Sequence, residues 1–344
     1  MRSAILNSEK YAGLLVTEAP LASGVGYFIS YGLDIGVLNT EIIRNINLFL
    51  ILEKDDDMYH LKKDDIDLET SVEIADGIYW IGFFDEQAGL HCNPYLIIDN
   101  DEAMVIDGGS RPDFATVMMK ILQTGIAPNQ IAALLYQHYD PDLCGSIPNF
   151  EDIIKREDLR IISDSANLMF IRHYSVSTRL LPISELNYQY SFSSGRTVQF
   201  FKTPYCHSGG SIVTFDPTSG ILFTSDLFGG LGLEWELFLN PGPECADCID
   251  SRQCLQKRTN CPINDILNFH KTVMPSRKAL RYSLEQVLDI PFTMIAPQHG
   301  SIISGKETLH TVFQMLTTLE EVGIDGIVED GYVFNSDHLR ERFK

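Results

Sequence analysis

Short runs of hydrophobic residues, separated by turn residues, follow one another from about residue 71 onward. IADGIYWIGFF (74–84), NPYLIIDN (93–100) and EAMVIDGG (102–109) are rich in β-branched and aromatic residues and are broken by glycine, asparagine and aspartate. This pattern is typical of β-strands. The series continues in IAALLYQH (131–138), LRIISDS (159–165), TVQFFKTP (197–204), SIVTFDP (211–217), GILFTSD (220–226) and FTMIAPQHG (292–300).

Helical spacing of apolar residues alternates with these runs. FATVMMKILQ (114–123) follows Pro112, and proline is favoured at the start of a helix. The same spacing returns in SRKALRYSLEQVL (276–288) and ETLHTVFQMLTTLEEV (307–322). Strand pairs with intervening helices predict an α/β fold in which helices cover the faces of sheets.

Three segments are predicted from the change of pattern along the chain. Residues 1–70 carry no clear motif and end in the acidic tract EKDDDMYHLKKDDIDLE (53–69), so we predict an N-terminal extension or small subdomain. Residues 71–322 form the main domain, and residues 323–344 are predicted to be a C-terminal tail or linker.

The charge of the chain is strongly negative. The 344 residues include 47 acidic and 26 basic side chains, for a formal net charge of −21. Such a field repels phosphate backbones and anionic lipid surfaces, which argues against nucleic acid and membrane partners. The apolar run INLFLIL (46–52) is far shorter than the ~20 residues that cross a bilayer, and no secretory leader is evident. We therefore expect a cytoplasmic protein, whose seven cysteines are thiols or metal ligands.

Histidine and aspartate side chains occur where the predicted strands end. In QHYDPDLCGS (137–146) three of them stand at alternate positions, and the others follow separate strands. Any one of them could simply cap a loop, but imidazole and carboxylate together suit iron, manganese or zinc. The six candidate ligands are enough for two metals if one carboxylate bridges, and they are His138, Asp140, Asp142, His207, Asp226 and His299.

These motifs resemble a known family. The segment from about 71 to 320 is similar to the metallo-β-lactamase fold, an αββα sandwich, and specifically to the di-iron domain of flavodiiron proteins. That family has H-x-E-x-D-H-x-G, a single histidine, a bridging aspartate and a histidine in an APSHG-like context, where this chain has HYDPDLCG, TPYCH, ILFTSD and APQHG. The resemblance implies that His138, Asp140 and His207 hold one iron, that Asp226 bridges, and that Asp142 and His299 hold the second.

Two positions depart from the flavodiiron pattern. Asp140 replaces a glutamate, and Leu143 replaces a histidine ligand of the second iron. Because leucine cannot bind metal, the resemblance implies an open or water-filled position on that iron. A related group of oxygen-binding di-iron proteins, used as sensors in bacterial signalling, lacks a histidine in a similar way. The chain resembles that group more than complete reductases, and we expect it to bind O2 or NO at two iron ions.

Two alternatives remain at this stage. Only about twenty residues follow the last long predicted helix, fewer than a flavin-binding domain needs. The first alternative is an O2 or NO reductase, which would then depend on a separate electron donor or partner, just as a sensor would depend on an output domain. The second alternative is a zinc hydrolase of the metallo-β-lactamase superfamily.

A cysteine-rich insert lies at PECADCIDSRQCLQKRTNCP (243–262). Cys245, Cys248, Cys254 and Cys261 have the spacing C-x2-C-x5-C-x6-C. Thiolates grouped in this way bind zinc or an iron–sulfur cluster, although four free thiols are the simplest alternative. A cluster could relay electrons to the di-iron site, whereas zinc would only staple the fold.

Three further residues flank the candidate ligands. Tyr139 and Tyr205 could donate a hydrogen bond to a bound oxygen species, although a tyrosine at the end of a strand is more often simply half-buried there. His91 could support a ligand from behind. By analogy with flavodiiron domains we also expect a homodimer.

Overall fold

The computed structural model describes residues 66–85, 90–174, 177–232, 235–241, 245 and 261–328, together with three strands near the N-terminus. The chain divides into two compact units, Met1–Asp56 and Asp57–Lys344. In the first unit, β1 (Ser3–Leu6), β2 (Leu14–Leu21) and β3 (Gly24–Tyr31) form an antiparallel sheet in that order.

The second unit contains a seven-stranded mixed sheet. In chain order its region comprises β4 (Val72–Ala75), β5 (Ile78–Trp80), β6 (Phe83–Asp85), β7 (Leu90–Cys92), β8 (Tyr95–Asp99), β9 (Glu102–Ile106), β10 (Ile131–Leu135), β11 (Arg160–Ser163) and β12 (Arg179–Pro182). The sheet order is β12-β11-β10-β9-β8-β5-β4, whereas β6 and β7 pair only with each other. Strands β9 to β12 run parallel, so their carboxyl ends meet at one edge.

A six-stranded sheet follows in strict sequence order. It consists of β13 (Gln189–Ser191), β14 (Thr197–Lys202), β15 (Ile212–Asp216), β16 (Ile221–Phe223), β17 (Met294–Ala296) and β18 (Ile303–Ser304). Adjacent strands of this sheet are antiparallel, except that β16 and β17 run parallel to each other. The loops after β16 and β17 therefore leave the sheet on the same side.

The two sheets face each other across one hydrophobic core. Trp80, Tyr95 and Leu135 of the first sheet belong to the same buried cluster as Phe200 and Phe223 of the second. The rings of Tyr95 and Phe223 lie 5.2 Å apart between centroids, so side chains of the two sheets interdigitate.

Helices cover both outer faces. On the first sheet pack α1 (Phe114–Gln123), α2 (Pro141–Cys144), α3 (Ile147–Ile154) and α4 (Ser165–Ile171). On the second pack α5 (Pro262–Val273), α6 (Arg277–Val287) and α7 (Lys306–Thr317). The result is the predicted four-layer order of helices, sheet, sheet and helices, and the α/β fold class is confirmed.

The structure differs from the predicted elements in several places. Helices α2, α3 and α4 and strands β7, β12, β13 and β18 were not predicted. The run 74–84 is not one strand, because Asp76 and Gly77 turn the chain between β4 and β5, and Gly77 has a φ of +68° that favours glycine. Helix α5 was not predicted, since its sequence follows the cysteine-rich insert directly. Within the described ranges, no helix combines the length and the apolar character that crossing a bilayer demands.

Candidate metal centre

The buried carboxylate of Asp107 holds the chain at the end of β10. Asp107, at the end of β9, accepts hydrogen bonds from the backbone N–H and the side-chain amide of Gln137, each at 2.9 Å. Burial raises the pKa of Asp107 to about 6, although the hydrogen bond from Gln137 opposes the shift. These bonds hold the chain where it leaves the sheet, one residue before His138.

Helix α2 then sets the direction of the next side chains. Asp140 stands at its N-cap, and its carbonyl accepts from the backbone N–H of Leu143 and Cys144 at 3.1 and 2.9 Å. Successive helical residues point about 100° apart. Asp142 therefore faces the candidate metal centre, whereas Leu143 is fully buried in the core between helices and sheet.

Three loops of the second sheet bring the remaining candidate ligands. His207 follows β14, Asp226 follows β16 and His299 follows β17. Gly300, next to His299, has a φ of +80°, and a Cβ there would lie 2.8 Å from the backbone nitrogen of Gly230. Only glycine fits this close approach of two loops.

All six candidate ligands meet in one cluster at the ends of the two sheets. In what we call the first half, His207 Nε2 lies 2.8 Å from Asp226 Oδ2 and 3.4 Å from both Asp140 Oδ2 and His138 Nε2. In the second half, His299 Nε2 lies 3.3 Å from Asp142 Oδ2 and 3.6 Å from Asp226 Oδ1. The carboxylate of Asp226 stands between the halves, with one oxygen turned to each.

The second ring nitrogen of two histidines is held by the protein. Nδ1 of His138 lies 2.7 Å from the hydroxyl of Ser225, and Nδ1 of His299 lies 2.7 Å from the carbonyl oxygen of His91. A carbonyl only accepts, so Nδ1 of His299 carries a proton, and Nε2 is the nitrogen that a metal could bind after its own proton leaves. Such contacts fix the tautomer and orientation that metal binding requires.

Charge in the cluster is balanced inside the protein. Burial opposes the imidazolium of His138, but Asp226 and Asp140 outweigh it and raise the pKa of His138 to about 9. The pKa of His299 also lies well above its ordinary value, because the hydrogen bond to Asp142 overcomes burial. Against the effect of burial, His138 and His207 hold the pKa of Asp226 far below its usual range. Metal cations would displace these protons.

Two residues of the centre carry no signal in the sequence. Ser225 is an ordinary serine before Asp226, and only the fold brings it to His138. Cys92, at the end of β7, offers Sγ within 4.8 Å of ligand atoms of Asp142 and His299. It lies 46 residues before His138, outside any recognisable ligand spacing.

The flanking residues take different places. The ring of His91 stacks on both Phe84 and Trp235 at centroid distances of 4.4 and 4.5 Å, and its Nε2 lies 2.9 Å from the carbonyl oxygen of Gly232. Burial lowers the pKa of His91 to about 4, so this ring is neutral. His91 contacts the centre through its backbone carbonyl.

The two tyrosines stand at the solvent side. Tyr139 is half-buried and stacks on Phe170 at 4.3 Å, while Tyr205 is 63% exposed. Neither hydroxyl hydrogen-bonds a candidate ligand within the part of the chain that the structure describes, and their predicted role stays a prediction.

The structure describes two of the four cysteines of the insert, Cys245 and Cys261. Cys248 and Cys254 lie outside the described residues. The thiol of Cys245 is buried and donates to the carbonyl oxygen of Pro241 at 2.8 Å, and Cys261 is the partly buried N-cap of α5. Both cysteines contact the core of the second sheet.

Comparisons with known proteins agree with this architecture. The family model described as ODP family beta lactamase matches residues 90–300. A solved structure titled as the peroxy diiron species of the chemotaxis sensor ODP is 24% identical, covers 75% of this chain and 98% of its own, and superposes with a TM-score of 0.58. The rubredoxin oxygen:oxidoreductase of Desulfovibrio gigas is 20% identical over 72% of this chain and 61% of its own, with a TM-score of 0.59.

A curated relative gives the same result at the sequence level. The type A flavoprotein fprA of Rhodobacter capsulatus is 24% identical over 245 residues, which are 67% of this chain and 52% of the relative. The chain therefore spans about half the length of this curated relative. Together the matches identify the αββα sandwich as a metallo-β-lactamase-like fold.

Proposed function

The chain belongs to the ODP family of beta lactamases, and on that premise we propose that it is a di-iron protein that binds O2 or NO at an open iron site, as a sensor module. The observation that carries the proposal is the carboxylate of Asp226. Its Oδ2 faces His138 and His207, and its Oδ1 faces His299. One residue thus serves two adjacent cation sites.

The donor set fits two iron ions. Asp226 is 3% exposed, yet its Oδ1 has no hydrogen-bond partner within the described residues. A buried carboxylate oxygen without a partner is costly, and a bound cation would satisfy it. Three imidazoles and three carboxylates form a nitrogen and oxygen set that suits iron. His138, Asp140 and His207 would hold one ion, Asp142 and His299 the other.

The residues around the centre orient the imidazoles and leave room for a small ligand. Bound iron supplies the redox chemistry that O2 or NO requires. Ser225 and the carbonyl of His91 keep two imidazoles oriented, and the buried carboxylates neutralise the metal charge. Leu143 contributes no donor, which leaves the second half with fewer protein ligands than the first and suits ligand entry.

The proposal also covers the cysteine-rich insert, the location and assembly of the protein, and the two tyrosines. The cysteines of the insert, Cys245, Cys248, Cys254 and Cys261, would hold zinc or an iron–sulfur cluster, the latter serving as an electron relay. We place the protein in the reducing cytoplasm, as a homodimer, with residues 71–322 as the di-iron domain. Tyr139 and Tyr205 would donate hydrogen bonds to the bound gas.

The alternative within the same chemistry is an O2 or NO reductase fed by the insert or by a partner protein. The similarity to an oxygen oxidoreductase and to a type A flavoprotein favours keeping it. Neither the two solved structures nor the curated relative named above is described as a zinc hydrolase, so the zinc hydrolase carries less weight.

The test is metal and sulfide analysis of anaerobically purified protein, followed by optical spectra during O2 addition and removal. Two irons per chain and a band that appears with O2 and reverses on its removal support the sensor. Sustained O2 consumption with a reductant supports the reductase. Zinc in the centre, with spectra that do not respond to O2, would overturn both.

A further inference from the structure

The second half of the centre is short of donors when only the six candidate ligands are counted. Asp142 and His299 belong to it alone, and Asp226 is shared with the first half. The position that the flavodiiron pattern fills with histidine is Leu143, whose side chain is fully buried in the hydrophobic core.

A thiol lies where a further donor would be needed. Cys92 is 2% exposed, and its Sγ, an oxygen of Asp142 and a ring nitrogen of His299 all lie within 4.8 Å of one another. A cation at the centre of such a triangle lies at most about 2.8 Å from each atom. Metal–sulfur bonds are about 2.3 Å and metal–nitrogen bonds about 2.0 Å long, so small movements of the side chains bring all three atoms to bonding distance.

The backbone places Cys92 firmly. The residues on either side of it are tied to the loop that carries His299: the carbonyl of His91 accepts from His299 Nδ1 at 2.7 Å, and the backbone N–H of Asn93 donates to Gln298 at 2.8 Å. The side chain of Asn93 also donates to the carbonyl oxygens of Pro297 and Gly300, at 3.0 and 2.8 Å. The thiol is therefore held beside His299 by hydrogen bonds on both of its neighbours.

We propose that Cys92 is a protein ligand of the second metal, binding through Sγ beside Asp142, His299 and Oδ1 of Asp226. The proton of the thiol leaves to solvent as the sulfur–metal bond forms. A thiolate makes this half softer than the first, so the two metal positions differ in their preference for cations. This inference rests on the proposed two-metal centre and adds a donor to it.

The test uses Co(II), whose bonds to thiolate give a charge-transfer band in the near ultraviolet. The wild-type protein and the variants Cys92→Ser, Asp142→Asn and Cys206→Ser are titrated with Co(II) without oxygen. Cys206→Ser is the matched control, because Cys206 is also buried and adjacent to a candidate ligand but stands in no group of ligand atoms in the described residues.

We expect part of the wild-type band to be lost in Cys92→Ser and retained in Cys206→Ser. The second Co(II) should bind Cys92→Ser at least about 10- to 100-fold more weakly, the range seen when only a residue supporting a ligand is lost, and the first should bind unchanged. Asp142→Asn, a change at a half-exposed position, should lose the same part of the band, which tests the inference even if Cys92→Ser does not fold.

Failure of the inference is distinct from failure of the proposed function. If two Co(II) ions bind and the band is the same in wild type, Cys92→Ser and Asp142→Asn, Cys92 is not a ligand, although the two-metal centre stands. If wild-type protein binds no metal pair at the histidine and aspartate cluster, the proposed function itself is wrong.

Discussion

The two halves of the metal centre are built from the same shared carboxylate but from different surroundings. The first half draws His138, Asp140 and His207 from one strand end of each sheet, and His138 is held by the side-chain hydroxyl of Ser225. The second half has Asp142 and His299. Nδ1 of His299 is held by the backbone carbonyl of His91. The other residues beside this half are Cys92, with its thiol, and Leu143, whose side chain faces the core.

One scaffold therefore produces two metal positions with unequal sets of protein donors. The donors of the first half, like Asp142 and His299 of the second, stand at positions that a sequence pattern reveals. The second half also depends on β7, which carries Cys92 and the carbonyl of His91 and is positioned by strand pairing and loop contacts. We therefore expect the second metal to be the more exchangeable one and the one at which a small ligand binds.

Asp226→Asn should have the largest effect, because it removes the charge shared by both halves. We expect both metals to be weakened by more than about 100-fold, beyond the loss caused by supporting residues. Asp142→Asn should weaken only the second. Metal content per chain after dialysis against a weak chelator measures both variants. Retention of two metals by Asp226→Asn would contradict the bridging role.

Leu143→His tests whether the second half is opened by its leucine. Replacing a fully buried leucine should lower the free energy of unfolding of the metal-free protein by about 2 to 4 kcal/mol. Because Leu143 faces the core, the new imidazole can bind the second metal only through a shift of α2. With that shift, we expect the second metal to bind about tenfold more tightly and ligand binding there to slow.

Leu143→Ala is the control for that substitution. It should show a comparable loss in urea unfolding without any gain in metal affinity. Equal metal affinities in the two variants would mean that a side chain at position 143 cannot reach the second half.

The metal-free protein should become less stable as pH rises from about 6.5 to 9. The pKa of His138 in the folded protein is about 9, above the unfolded value of about 6.5, because Asp226 and Asp140 outweigh burial. The stabilisation is fully present below pH 6.5 and is lost towards pH 9, on the order of 1 to 3 kcal/mol.

Urea unfolding of metal-free protein at pH 6.5, 7.5 and 9 measures this loss. His138→Gln should remove that part of the pH dependence. With metal added the sign should reverse, because cations compete with protons for the same nitrogen. A metal-free stability that rises over this window would contradict the charge balance in the cluster.

Ser225→Ala should have the smallest effect and should separate the halves. Loss of the hydroxyl that orients His138 is expected to weaken the first metal about tenfold, leaving the second unchanged. Isothermal titration with zinc measures both. Ser163→Ala, which removes a buried hydroxyl bonded to the carbonyl of Tyr136, should alter neither. Equal losses in both halves would mean that Ser225 acts through general stability.

Much of the fold could be predicted from the chain alone. The helix 114–123 is found at Phe114–Gln123, and the buried runs that end at His138 and Asp226 contain β10 and β16. Periodicity is local and survives in the fold because each apolar run must be buried. The run 74–84 was predicted less well, because the turn at Gly77 divides it.

Hydrophobic periodicity and residue type are enough to predict the layered α/β class, the strand-end positions of six candidate ligands and the leucine at position 143. They do not reveal which oxygen of Asp226 faces which half, that Ser225 orients His138, or that Cys92 lies beside His299. These are contacts between segments far apart in the chain, fixed by sheet pairing and loop hydrogen bonds, and no local pattern encodes them.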